Sequence, residues 1–493
     1  MTVGPWAKQW HARTAALTRV EAQLARSPDD VGLRLERAQL LEDLGLREDS
    51  AAAYVHVLVA HPWHYEAMMR LGALFATGGK ADGARAVFHE ATVHHPDRPA
   101  PYASLGNVLL DLGDAPGARA AFEAALGVDP GHLEAHRGLA IIFERAGDIA
   151  AADRAWRAGF PDGSIAISPF RGPNEPVRVL LVTSAIGGNI PLQHVLDDRV
   201  FQWATLIAES YVPTMTLPPH GVVFNAIGDH DRCARALEHA DQLLERVDVD
   251  VINPPARVRG SGRADNADRL AALTGVVVPR VVAFARDALT APDAVRTLAA
   301  HGFEWPLLVR SPGYHTGEHF ELIATAADLA AAVQALPGEE LLAISYLDTR
   351  RADGAWAKYR VMFIDGELYP LHLAISREWK VHYFTAAMSE EQAFRDEERA
   401  FLEDMAGTLG APAVAMLREI GEALGLEYAG VDFAFDPQGR LAIFEANATM
   451  VILPPKDDPR FAYRKAPVQR ALDAVRAMII RRANAGAARL QFS

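Results

Sequence analysis

The chain runs to 493 residues, half of them apolar and 23% charged, more than one hydrophobic core usually supports and ordinary for a globular protein of two or more domains. Its 49 Lys and Arg against 63 Asp and Glu leave a formal net charge of −14, which argues against a generic nucleic-acid or anionic-membrane surface but permits a local basic pocket. A single cysteine, Cys233, rules out an internal disulfide and a cysteine-based zinc cluster. The opening MTVGPWAKQWHARTAAL lacks the apolar core of a signal peptide, and no run of about eighteen apolar residues occurs, so a cytoplasmic protein without membrane or nucleic-acid partners is expected.

Pro28, Pro62, Pro96 and Pro130 recur every 34 residues. Gly45, Gly79, Gly113 and Gly147 keep that period, as do the small residues Ala38, Gly72, Gly106 and Ala140 and the aromatics Tyr54, Phe88, Phe122 and Trp156. A small residue lets two helices approach, glycine turns the chain, an aromatic packs the second helix, and proline opens the next unit. This pattern resembles the tetratricopeptide repeat, a helix-turn-helix unit of about 34 residues. Residues 1–165 are read as this domain, with about four repeats over 31–164 and a leading helix over 5–27. Stacked repeats present an extended concave face, which implies a bound peptide or protein. A docking or dimerisation platform for the remainder of the chain is equally consistent, because fold alone does not give function.

SPFRGPNEP (Ser168–Pro176) is punctuated by Pro and Gly and ends a linker taken as 166–176. VRVLLVTS (Val177–Ser184) then reads as a buried strand opening into the glycine loop AIGGN, and GVVFNAIGD and VDVINPP supply further short strands. With ADNADRLAALTGVVVPRVVAF as helix, turn and strand, the chain from 177 through 258 and beyond alternates as a layered α/β sheet. Further on, a strand over Leu307–Arg310 ends in a cation before a loop containing Gly313 and Gly317, whose backbone amides would suit phosphate oxygens. A later hairpin turns at Asp365-Gly366, and Lys358 and Arg360 share one face of its first strand by period two.

GVDFAFDPQGRLAIFEANATM (Gly430–Met450) carries the most specific pattern. Asp436-Pro437-Gln438-Gly439 suits a type I turn, so two alternating segments form a hairpin. If Asp436 pairs with Gly439, Asp432 faces Ile443, and Asp432, Ile443, Glu445 and Asn447 project to one side. A turn longer by one residue would send Asp432 to the other face. Two carboxylates and an amide oxygen at a strand end make an oxygen-only donor set suited to Mg²⁺ or Mn²⁺. A solvated hairpin with unrelated acidic residues is the alternative.

Taken in order, residues 177–480 resemble the ATP-grasp superfamily, with an N-terminal α/β subdomain over 177–258 and ATP-binding subdomains over 259–480, leaving 481–493 as a tail. The resemblance implies that Asp432, Glu445 and Asn447 hold the Mg²⁺ (or Mn²⁺) that bridges the ATP phosphates, Glu445 between the ions and the other two on either side. It implies that Arg310 contacts phosphate and that Gly313, His315, Thr316 and Gly317 lie in a flap. Ser345, Tyr346 and Leu347 would meet adenine through backbone, with Asp348 at the ribose. Arg269 and Arg310 stand where nucleotide-binding lysines are usual, and Ile344 replaces an acidic residue at the hinge.

The implied activity is an ADP-forming carboxylate–amine or carboxylate–thiol ligase, with Arg310, Arg360 and Arg464 as cations at the reaction centre and Lys358 among the nucleotide-binding residues. A small-molecule kinase on the same fold and an ATP-sensing scaffold are the alternatives, and the identities of acid and nucleophile are unread. An appended peptide-binding platform points by association to peptide or natural-product biosynthesis. His315, His319, His372 and His382 read as surface or substrate-contact side chains. Arg377, Lys380 and His382 would anchor a substrate carboxylate or cover a sheet edge. The helix in MSEEQAFRDEERAFLED reads as facing solvent.

Overall fold

The computed structural model describes residues 5–161, 165–312, 319–381, 387–455 and 457–490. It divides into two compact units, Met1–Gly163 and Ser164–Ser493.

The first unit is all helix among its described residues. Helix α1 (Pro5–Leu24) leads, and four pairs follow: α2 (Val31–Asp43) with α3 (Arg47–Ala60), α4 (Tyr65–Thr77) with α5 (Ala81–His94), α6 (Pro99–Asp111) with α7 (Ala115–Val128), and α8 (Leu133–Arg145) with α9 (Ile149–Gly159). The 34-residue code explains each junction. Gly45, Gly79, Gly113 and Gly147 sit at φ between 73° and 81°, closing the turn inside each pair at little steric cost. Several helix starts are capped by a side chain, as where Asp114 Oδ1 accepts from Gly117 N at 2.9 Å and Asp148 Oδ1 from Ala151 N at 3.0 Å. The four aromatics are buried, and the small residues make room for them: a Cβ on Gly106 would stand 2.6 Å from the Phe122 ring.

The second unit holds three sheets. The first, ordered β1-β3-β2-β4-β5, comprises β1 (Ile165–Ile167), β2 (Val177–Thr183), β3 (Phe201–Ile207), β4 (Val222–Asn225) and β5 (Asp250–Ile252). Strands β2 to β5 run parallel, and β1 is antiparallel to β3. Helices α10 (His230–Leu244), α11 (Pro255–Arg259) and α12 (Arg263–Ala271) accompany it. Strand β6 (Val276–Val277) then leads to a second, antiparallel sheet ordered β7-β10-β8-β9, made of β7 (Val281–Ala285), β8 (Leu307–Arg310), β9 (Phe320–Ile323) and β10 (Glu340–Ser345). The third sheet, β12-β11-β13-β14-β6, adds β11 (Trp356–Ile364), β12 (Glu367–Ser376), β13 (Tyr428–Phe435) and β14 (Leu441–Asn447).

One continuous hydrophobic core serves the first and third sheets, while the second has its own around Leu307, Val309, Ile323, Val333 and Leu341. Residues 278–280, between β6 and β7, and residues 346–355, between β10 and β11, join the second sheet to the third.

Three boundaries differ from the sequence reading. Strand β1, which straddles the expected boundary between repeats and linker, pairs with β3 of the second unit. The stretch read as a linker is tied to that unit: Ser168 exchanges hydrogen bonds with Trp203, and Arg171 N donates to Asp198 O at 2.9 Å. The proposed tail from 481 continues a 26-residue helix (Lys465–Leu490), in which Gly486 approaches Gly221 closely enough that a Cβ would lie 2.2 Å from its carbonyl oxygen. Strand β3 escapes the sequence reading because its aromatic and polar residues do not make the continuous apolar run of its neighbours.

Candidate functional site

The hairpin of β13 and β14 follows neither the expected turn nor the expected pairing. Phe435 pairs with Leu441, and Asp436 N donates to Arg440 O at 3.0 Å, so the loop is one residue longer than a two-residue turn, with Gly439 left-handed at φ 78°. That extension alone would turn Glu445 away from Asp432. A bulge at Phe444 inserts a second extra residue, and beyond it Asp432 faces Glu445 directly while Gly430 faces Asn447. Ile443 instead faces Phe433 and is buried in the core, which corrects its expected placement beside Asp432. Phe444 is 41% exposed, as an expelled bulge residue should be.

On the resulting face, Arg360 of β11 stands opposite Asp432. Its Nε donates to Asp432 Oδ1 at 2.7 Å and Nη2 to Oδ2 at 2.9 Å, a bidentate fork, and Lys358 Nζ lies 3.0 Å from Oδ2. Burial alone would push the Asp432 carboxyl up, but the Lys358 and Arg360 charges outweigh it and hold the group well below the usual carboxylate range. Asp432 is therefore a permanent anion bracketed by two cations. Asn447 Nδ2 donates to Glu445 Oε1 at 2.9 Å, and its Oδ1 accepts from Thr449 N and Oγ. His372, read as a surface or substrate-contact side chain, is not at the surface but buried on β12 opposite Arg360; burial and the Arg360 charge push its pKa down, so the ring is neutral.

The other expected contacts divide. Arg310 ends β8 with its guanidinium 5.7 Å from the Phe320 ring centroid. Ser345 N donates to Arg280 O and its Oγ accepts from Arg280 N, so its backbone amide is committed to the sheet edge. Tyr346 OH accepts from Trp356 Nε1 at 3.3 Å, and Asp348 Oδ1 accepts from Arg350 N at 3.1 Å, with Leu347 half-buried between them. Arg269 is displaced from a nucleotide role: Nη2 donates to Gly260 O at 2.6 Å and Nη1 to Ala423 O at 3.2 Å, tying α12 to a helix over Ala411–Leu424. Gly313, His315, Thr316, Gly317 and His382 lie outside the described residues.

Arg464, expected as a cation at the reaction centre, is committed to a buried ion pair. It ends a short 3-10 turn and is buried against Glu398, with Nε 2.9 Å from Oε2 and Tyr463 OH also donating to that oxygen. Glu398 lies on the helix Gln392–Glu403, expected to face solvent, yet Phe394, Glu398, Phe401 and Leu402 of that helix are buried. The helical i, i+4, i+7, i+8 spacing of Phe394, Glu398, Phe401 and Leu402 is the available signal, obscured by the surrounding charges.

At the carboxyl ends of the first sheet, the loop after β2 places Ser184 Oγ 2.6 Å from the buried Glu209 carboxylate, and Asn189 closes the loop on Ser184 N and O. Gly228, after β4, lies against Ala448 and Thr449 of the segment leaving β14. The loop after β4 thus abuts the end of the Glu445–Asn447 strand. Among the described residues, no group of three or more His, Cys, Asp or Glu gathers as a metal cluster, and no helix is long and apolar enough to cross a membrane.

A tetratricopeptide-repeat family model matches residues 35–102 and 104–164. The N-terminal unit is therefore a solenoid of tetratricopeptide repeats, followed by a mixed α/β region. Similar solved structures include a crystal structure of MamA (20% identity, 33% of this chain and 94% of that one, TM-score 0.29) and MamA 41-end from Desulfovibrio magneticus RS-1 (19%, 32% and 96%, 0.29). A thermophilic repeat protein of Thermus thermophilus is similar at 21% identity over 30% of this chain and 82% of that one, with a TM-score of 0.26. No curated protein matches the chain.

Proposed function

We propose that the α/β unit is an ATP-grasp ligase that joins a carboxylate to an amine or thiol at the expense of ATP, and that the repeat unit binds a peptide or protein partner. The observation that carries this reading is the apposition of Asp432 and Glu445, with Asn447 bonded to Glu445 and with Lys358 and Arg360 on the same patch.

The donor set fits a hard divalent ion. Asp432 stays anionic despite burial, Glu445 and Asn447 are half-exposed at the strand end, and all three carry oxygen donors, although an ion would have to compete with Arg360 and Lys358 for Asp432 and with Thr449 for Asn447 Oδ1. Bound there, Mg²⁺ would offset phosphate charge. The protein's own residues do the rest. Lys358 and Arg360 fix Asp432 and supply positive charge beside it, and Arg310 would meet phosphate from the second sheet. Because the Ser345 amide is committed to Arg280, adenine recognition would fall to the backbone of Tyr346 to Asp348. The acid substrate would enter from the crevice at the carboxyl ends of β2 and β4, where strand order switches direction.

In this reading a carboxylate oxygen bonds to the γ-phosphorus as the bond to the β,γ-bridging oxygen breaks and ADP leaves. The amine then attacks the acyl carbon, phosphate departs, and the amine loses its proton. With the acid substrate, Mg·ATP and hydroxylamine, the enzyme forms a hydroxamate together with ADP and phosphate. A stable phosphoester insensitive to hydroxylamine would assign a kinase instead.

A further inference from the structure

Among the described residues, the segment just beyond the third sheet reaches the second beside Arg310. Just beyond β12, Trp379 sets its ring edge against Phe320 of β9, with centroids 5.7 Å apart and planes at 64°. The next residue, Lys380, donates from Nζ to Phe320 O at 3.1 Å and lies 6.0 Å from the same ring. Phe320 is the cross-strand partner of Arg310, whose guanidinium is 5.7 Å from that ring. One aromatic side chain is therefore held by the third sheet through both ring and backbone, and it carries the cation at the end of β8.

We propose that Trp379 and Lys380 are positioning residues for Arg310, fixing it through Phe320 so that the second sheet presents its phosphate-binding cation in register with the third-sheet patch. This role rests on the nucleotide-binding reading of the site. Its physical basis is the separate core of the second sheet. The two sheets are joined covalently by residues 278–280 between β6 and β7 and by residues 346–355 after β10, and contacts elsewhere between them hold their relative setting further. Trp379–Phe320 is such a contact, and an edge-to-face pair is directional where plain apolar packing is not. The Lys380 bond adds a fixed point on the β9 backbone. Arg377, three residues earlier, is held by Glu391 in a 2.9 Å ion pair, which anchors the start of this strap to the third-sheet side.

The test uses the full chain and Mg·ATP as the probe, with affinity from calorimetry and stability from thermal melting. Trp379→Ala and Lys380→Ala each weaken Mg·ATP binding about tenfold, the size expected from one aromatic pair or one charge-assisted hydrogen bond, with the melting temperature lowered by no more than about 2–4 °C. Trp379→Phe, which keeps a ring edge, restores most of the affinity. Lys380 is exposed, so its variant reads the coupling even where Trp379→Ala does not fold. Variants that bind Mg·ATP as tightly as the wild type overturn the positioning role and leave the nucleotide reading standing. A lowered melting temperature with unchanged affinity also overturns it, assigning a purely structural contact. A wild-type chain that binds no Mg·ATP overturns both.

Discussion

Asp432 and Glu445 face each other across the hairpin because two irregularities cancel: a loop one residue too long and a bulge at Phe444. The two carboxylates are nonetheless not equivalent. The Asp432 side chain is 3% exposed and gripped by Arg360 and Lys358, whereas Glu445 is half-exposed. Asp432→Asn leaves two cations without their counter-charge and should cost about 3–5 kcal/mol of stability in the absence of nucleotide. Glu445→Gln should cost under about 1 kcal/mol. Urea unfolding of the two variants measures the difference, and equal losses would contradict this division of roles.

Glu398 and Arg464 form a buried pair that also engages Tyr463. Glu398→Ala strands the arginine in the core and should lower stability by about 3–5 kcal/mol, while Glu403→Ala, at the end of the same helix and exposed, should change it by less than about 0.5 kcal/mol. Similar urea midpoints for the two would return this helix to the solvent.

In the repeats, Phe122 is enclosed between Gly106 and Gly138, and a Cβ on Gly138 would stand 2.2 Å from the ring. Gly138→Val should therefore overpack the third and fourth repeats by about 1–3 kcal/mol or more. Gly127 lies on α7 with nothing within 4 Å of its added Cβ. Gly127→Ala should leave stability unchanged or raise it by up to about 1 kcal/mol, since alanine is the better helix former. Thermal melts followed by helical circular dichroism separate the two outcomes.

Cys233 is buried near Gly187, and burial pushes its thiol up to about 12 from an ordinary value near 9, against a lowering hydrogen bond with Ser184. The thiolate is the reactive form, so the native chain should not react with a thiol reagent at pH 8, whereas the urea-unfolded chain should release one equivalent. Because the folded pKa is raised, the stability linked to this group is complete below the ordinary thiol value and is lost as pH rises toward 12. Rapid native labelling at pH 8 would contradict the burial.

The repeats were legible in the sequence because each period position has one steric task, and a 34-residue period repeats that task four times. Tyr54, Phe88, Phe122 and Trp156 can be placed against Ala38, Gly72, Gly106 and Ala140 from spacing alone. The shared face of Lys358 and Arg360 is equally readable from period two. The hairpin register is not, because no local signal announces the bulge at Phe444, and its agreement with Asp432 beside Glu445 comes from two compensating deviations. Arg269 and Glu398 are misplaced by sequence for another reason: a charged residue looks the same whether it meets water, a phosphate or a buried carbonyl. Only the tertiary partners, Gly260 and Ala423 for one and Arg464 for the other, decide between them.

The Asp432–Glu445–Asn447 hairpin as one wall of a Mg·ATP site is tested most directly by calorimetric titration of the full chain with ATP, in the presence and absence of Mg²⁺. Glu445→Gln and Glu422→Gln are compared in parallel. The expected result is Mg²⁺-dependent saturable binding by the wild type, weakened at least about tenfold by Glu445→Gln and unchanged by Glu422→Gln on the preceding helix. No binding by the wild type, or the same affinity in both variants, would contradict it.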